Sequence, residues 1–119
     1  MTNPKAYFLP EELRCDHCHG EQMDEKFLSL IVELKERLKI PFPILVAYRC
    51  PKHPLEFFMK GQGPHQTGRA IRVGLKGVRA YKALREALSM GFLGIGVHND
   101  YIHLDMIERP EGPLVWPER

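Results

Sequence analysis

The sequence predicts an α+β domain in which helices pack on a small, mostly antiparallel sheet. Three observations lead there. Residues 24–39 and 77–90 carry apolar side chains at helical spacing. Four short apolar runs, at 44–48, 69–73, 92–97 and 101–107, lie between turn signals and read as strands. The last two are separated by little more than Asn99-Asp100, which predicts a hairpin and therefore an antiparallel pair. With 119 residues, no internal repeat and no low-complexity tract, the whole chain is expected to form a single domain, 1–119.

Each element follows from local chemistry. The opening MTNPKAYFLPEELR has acidic residues and prolines where an export signal needs an apolar run. No apolar run reaches the roughly 20 residues that span a bilayer. A soluble chain with no export signal of its own is expected, working in the cytoplasm or inside a particle. In the first helix Phe27, Leu28, Ile31, Leu34 and Leu38 face one way, with Glu33, Lys35, Glu36 and Arg37 opposite. It must end before Pro41. Residues 44–48 read as a buried strand. Residues 49–64, with three prolines and two glycines, read as a long loop holding one helical turn. The second helix is expected to turn Val78, Tyr81, Leu84 and Leu88 inward, Lys82 and Arg85 outward, and to stop at Gly91. The tail, 108–119, reads as irregular.

Charge and cysteine content narrow the function. Seventeen Lys and Arg oppose fifteen Asp and Glu, a net +2. That balance gives no basis for a nucleic-acid or membrane partner held by bulk charge. Three cysteines cannot close a disulfide framework. Cys15-x-x-Cys18 and Cys50-x-x-His53 are two knuckles of the kind that hold a tetrahedral structural zinc, with His17 and His19 as substitutes in the first. The alternative is that Cys15 and Cys18 are reduced thiols near a turn and Cys50 a small buried residue. His103 and Asp105, two apart on a strand, share a face and can act as a unit.

Several segments together resemble a known family. His65-Gln66-Thr67-Gly68-Arg69-Ala70-Ile71-Arg72 is similar to the Ser-x-His-x-x-Gly-x-Ala-x-Asp motif of the zinc D-alanyl-D-alanine peptidases of bacteria and phages, which share a core with the hedgehog signalling domain. Tyr101-Ile102-His103-Leu104-Asp105 resembles the family's later His-x-Asp strand. Ala47-Tyr48-Arg49-Cys50-Pro51, the segment Phe92-Leu93-Gly94-Ile95-Gly96-Val97, the closing Arg109 and Trp116, and Cys15 and Cys18 before the first helix are similar to further family segments in the same order. The resemblance implies a hedgehog/DD-peptidase-like fold. It also implies a Zn²⁺ held by His65, the residue at 72 and His103, whose bound water attacks an amide of a peptidoglycan stem peptide. Asp105 or His98 would then carry the proton.

Position 72 departs from that pattern. It is Arg, which has no lone pair to give and stays protonated. Unit charges about 4 Å apart interact by about 4 kcal/mol at an effective dielectric near 20, and a divalent ion doubles the repulsion. Gly63 also replaces the motif's Ser, and Ala47 stands where Gly is common. Three readings follow. Catalysis is lost, Arg72 pairs with Asp105, and the domain is a structural or binding protein, such as a bacteriophage virion component. Or zinc-dependent hydrolysis of peptidoglycan survives through His65, His103 and a substitute such as His98. Or the only metal is a structural zinc at Cys15, Cys18, Cys50 and His53. A different class, a zinc-knuckle adaptor for another protein, would be favoured by a hydrophobic patch on the folded surface, which a sequence does not reveal.

Overall fold

Residues 3–56 and 63–119 are described by a computed structural model, so part of the expected loop, residues 57–62, lies outside the described residues. The elements run α1 (Pro10–Leu13), α2 (Glu25–Leu38), β1 (Ile44–Val46), β2 (Ala70–Val73), α3 (Gly77–Met90), β3 (Gly94–Val97), β4 (Ile102–Asp105) and β5 (Leu114–Pro117). Short 3₁₀ turns occupy Pro4–Tyr7 and Pro64–Thr67, the latter at the end of the expected loop and running past it. The α+β class stands. No helix among the described residues is long and apolar enough to cross a membrane.

Asp24 starts α2 by accepting the Phe27 N–H at 2.9 Å, which satisfies one of the free donors at the helix start. Phe27, Leu28, Ile31 and Leu34 are buried, as the periodicity predicts. They join Ile71, Val73, Ile95, Ile102 and Leu104 in one core cluster. Each such side chain contributes about 1.5–3 kcal/mol by leaving water.

The sheet order is β1-β2-β4-β3-β5. β3 and β4 form the expected hairpin, and β1, β2 and β4 are antiparallel neighbours. Register explains the division of labour between the two faces. Ile71, Leu104 and Ile95 stand side by side and face the core. One residue along, Arg72, His103, Gly96 and Trp116 stand side by side on the opposite face. The polar row is thus carried on a rigid sheet whose back is the hydrophobic core.

Two expectations are corrected. In α3, Val78, Tyr81 and Leu88 are 54–70% exposed, while Ala83 and Ala87 are buried and Ala80, Leu84 and Met90 half-buried. Residues 80, 83, 84 and 87 also follow helical spacing. The three alanines among them let α3 approach α2, so close helix packing outweighs the size of the side chains turned outward. The tail is not irregular either: β5 pairs with β3 in parallel as the edge of the sheet. Pro113 and Pro117 obscure it in the sequence, yet an edge strand tolerates proline because one side needs no donor.

Candidate functional site

The polar row lines a cleft of about 470 Å³ bounded by Arg49, Leu55, Glu56, Pro64, His65, Arg72, His103, Trp116 and Glu118. His65 and His103 meet there, ring centroids 5.4 Å apart at 90°. The segment 47–50 places the first of them. Its Ala47 carbonyl lies 3.0 Å from His65 Nδ1, and its Arg49 N–H donates to the His65 carbonyl at 3.2 Å. Because a carbonyl can only accept, Nδ1 carries the proton and Nε2 the lone pair. That Nε2 is buried and has no hydrogen-bond partner among the described residues. Burial first, then His103, Arg49 and Arg72, depress the His65 pKa to about 3 against a weaker upward pull from the Ala47 carbonyl.

His103 and Asp105 do form a unit. Nε2 of His103 lies 2.7 Å from Asp105 Oδ2. Arg109 holds the same carboxylate from its other side, Nη1 to Oδ1 at 3.0 Å and Nη2 to Oδ2 at 2.8 Å. The Ile107 N–H adds 3.1 Å to Oδ1. Burial by itself would raise the Asp105 pKa, but the bonds from His103, Arg109 and Ile107 outweigh it and bring it to about 2. Asp105 is wholly buried and does not line the cleft, so its place is behind His103, fixing the ring, and not in front as a proton carrier.

The expected Arg72–Asp105 pair is not formed, because Arg109 already occupies that carboxylate. Arg72 turns to Glu118, Nη2 to Oε1 at 3.6 Å, with its guanidinium 4.9 Å over the Tyr101 ring. Glu118 in turn accepts the Trp116 indole N–H at 2.6 Å. Arg72 Nε is buried and has no hydrogen-bond partner among the described residues. A second pair, Arg49 with Glu56 at 3.6 Å, closes another wall. Glu56 and Glu118 were missed in the sequence; alternation along β5 puts Glu118 beside Trp116 once that strand is recognised. His98 is elsewhere: it stacks on Tyr101 at 4.4 Å and accepts the Asp100 N–H at 3.1 Å at the hairpin turn.

This cleft does not fit the zinc ion that the family resemblance implies. Of the three positions, Arg72 brings a fixed cation and no donor atom, while His103, whose Nε2–H donates to Asp105, keeps its lone pair on Nδ1 and His65 keeps its own on Nε2, so two imidazoles remain without the anionic third ligand. His98 does not line the cleft and supplies no substitute.

The cysteines make a second centre. The Sγ atoms of Cys15, Cys18 and Cys50 all lie within 4.8 Å of one another, so the three thiols could hold a metal. A chain loop closes around them: the Cys15 N–H donates to the Gly20 carbonyl at 2.7 Å and the His19 N–H to the Cys15 carbonyl at 2.8 Å. Backbone N–H groups point at sulfur, those of His17 and Cys50 at Cys15 (3.4 and 3.3 Å) and that of Gly20 at Cys18 (3.3 Å). Burial raises the Cys15 pKa, but these N–H groups outweigh it and the net shift is downward. Burial raises that of Cys50.

His53, the expected fourth ligand, is engaged on both ring nitrogens. Nδ1 accepts the Leu55 N–H at 3.1 Å, which leaves Nε2–H to donate to Asp16 at 2.6 Å. The imidazole of His17 lies beside a thiol, Nδ1 to Cys50 Sγ 3.5 Å.

Comparison with family models, with curated proteins and with solved structures gives no match for this chain.

Proposed function

We propose that this chain is a non-hydrolytic, peptide-binding relative of the zinc D-alanyl-D-alanine peptidases, with a hedgehog/DD-peptidase-like fold. The observation that carries the reading is Arg72, which stands beside His103 in the sheet and is neutralised by Glu118. Arg72 supplies no metal donor, and the two carboxylates that line the cleft, Glu118 and Glu56, are each held by an arginine.

The same cleft has the means to bind an amide. Among the described residues, Arg72 Nε–H is a buried donor without a partner and His65 Nε2 a buried acceptor without one. A peptide group offers the complement of both, its carbonyl to the first and its N–H to the second. Leaving either atom unpaired costs about 1–3 kcal/mol, which an amide would recover. Trp116, Leu55 and Pro64 give apolar walls for small side chains such as those of a peptidoglycan stem peptide. At the three thiols we propose zinc, the ion that soft sulfur donors in a tetrahedral cage select, in a structural role.

Titration calorimetry with a stem peptide ending in D-Ala-D-Ala, followed by mass spectrometry of the mixture, tests the reading. Binding without cleavage, lost in His65→Phe, is expected. Release of D-alanine by the zinc-loaded protein would restore the enzyme reading, and absence of binding by the folded protein would remove the peptide-binding one.

A second reading, a structural or adaptor protein of an assembly such as a phage particle, is favoured by one feature. Val78, Tyr81 and Leu88 form an exposed apolar stripe on the outer side of α3.

A further inference from the structure

We infer that His17, through Nδ1, is the fourth ligand of the metal at Cys15, Cys18 and Cys50, and that this metal holds the segment which builds the cleft. The inference rests on the zinc reading above.

Tetrahedral bonds of about 2.3 Å to sulfur and about 2.05 Å to nitrogen place a ligand nitrogen about 3.6 Å from each sulfur. His17 Nδ1 lies 3.5 Å from Cys50 Sγ and farther than 4.8 Å from at least one of the other two sulfurs, so its ring must swing inward to complete the sphere. The same geometry sets the sulfurs about 3.8 Å apart, a small contraction of a trio already within 4.8 Å. His17 sits inside the closed loop between Cys15 and Cys18, so its ring reaches Cys50 across the mouth of the cage. Its own N–H donates to Cys15 Sγ, which fixes the backbone that carries the ring. His53 has no free lone pair to offer, since Nδ1 accepts from Leu55 and Nε2 faces Asp16. Its place is outside the ligand sphere: it ties the Asp16 side of the first knuckle to the turn after Cys50.

The connection to the cleft runs through residues 47–50. Tyr48 N–H donates to the Leu13 carbonyl at 3.3 Å and Cys50 N–H to Cys15 Sγ at 3.3 Å, so even positions face the thiol centre. Odd positions face the cleft, the Ala47 carbonyl and the Arg49 N–H each bonding His65. A metal bound to Cys50 therefore fixes one side of a strip whose other side orients His65.

Cobalt(II) loading of the full chain, read by its thiolate charge-transfer and ligand-field absorption and then displaced by zinc, tests this. The wild type should give the intense ligand-field bands of a tetrahedral ion. His17→Ala should shift them and lower zinc affinity about tenfold or more, the scale of losing even an outer-sphere partner. His53→Ala should leave the band positions unchanged. Stripping zinc with a chelator should shift the His65 ring resonances in an NMR spectrum.

The outcomes separate the two claims. No thiolate–cobalt absorption in the folded protein would defeat the zinc reading and the inference with it. Absorption that His53→Ala shifts and His17→Ala does not would keep the metal and overturn His17 as its ligand. His65 resonances indifferent to the metal would overturn the link to the cleft.

Discussion

Arg109 grips both oxygens of Asp105, at 3.0 and 2.8 Å, four residues along the chain and with the carboxylate wholly buried. That clasp decides two other things. It leaves Asp105 unavailable to Arg72, and it fixes the carboxylate that orients His103. The backbone of β3 passes directly against it at Gly94, where any Cβ would collide with both carboxylate oxygens.

Arg109→Ala should cost about 3 kcal/mol or more, because it leaves a buried carboxylate with only part of its partners. Gly94→Ala should also destabilise, since Asp105 has no room to retreat. Urea midpoints at neutral pH measure both. Asp105 titrates near 2 when folded against an ordinary 3.8, so its stabilisation is present above about pH 4 and lost as pH falls toward 2. Asp105→Asn should remove that part of the acid dependence.

His65 also weakens the fold in acid, because its buried ring stays neutral where the unfolded chain takes up a proton. It is neutral when folded, with a pKa near 3, and binds a proton near its ordinary 6.5 when unfolded. Its contribution is therefore complete above about pH 6.5 and falls as pH drops toward 3, by about 2 kcal/mol at pH 5. Thermal melts of wild type and His65→Phe from pH 7.5 to 5 should show the wild type losing more stability than the variant. Parallel curves would mean the ring is not buried neutral.

Arg72→Asp exchanges a fixed cation for a donor in the row with His103. On the proposed ancestry the variant should take one more zinc per chain than the wild type, counted by elemental analysis after dialysis. An unchanged count would mean that His65 and His103 are not the remainder of a metal site.

The exposed and buried sides of α3 should respond in opposite ways. Ala87→Leu forces bulk between α3 and its support and should cost about 1–3 kcal/mol. Tyr81→Lys and Leu88→Lys, on the open side, should stay within about 0.5 kcal/mol. Urea unfolding distinguishes the two sets.

Local order was legible because it is written in near neighbours. The spacing of Phe27, Leu28, Ile31 and Leu34 determined α2 and its buried face, Asn99-Asp100 the hairpin, and strand alternation the shared side of His103 and Asp105. The thiol grouping was legible too, since paired short spacings admit few arrangements. What tertiary structure alone decided are choices among distant partners of similar chemistry. Asp105 and Glu118 are both carboxylates within a strand's reach of Arg72, and the prior claim of Arg109 settled which one it meets. His17 and His53 are both imidazoles beside a cysteine, and the N–H of Leu55 together with Asp16 removed one of them. The buried face of α3 was set by how near a neighbouring helix could come to its alanines. Periodicity fixes which residues share a side, whereas close packing and competition for a limited number of buried partners fix which side and which partner.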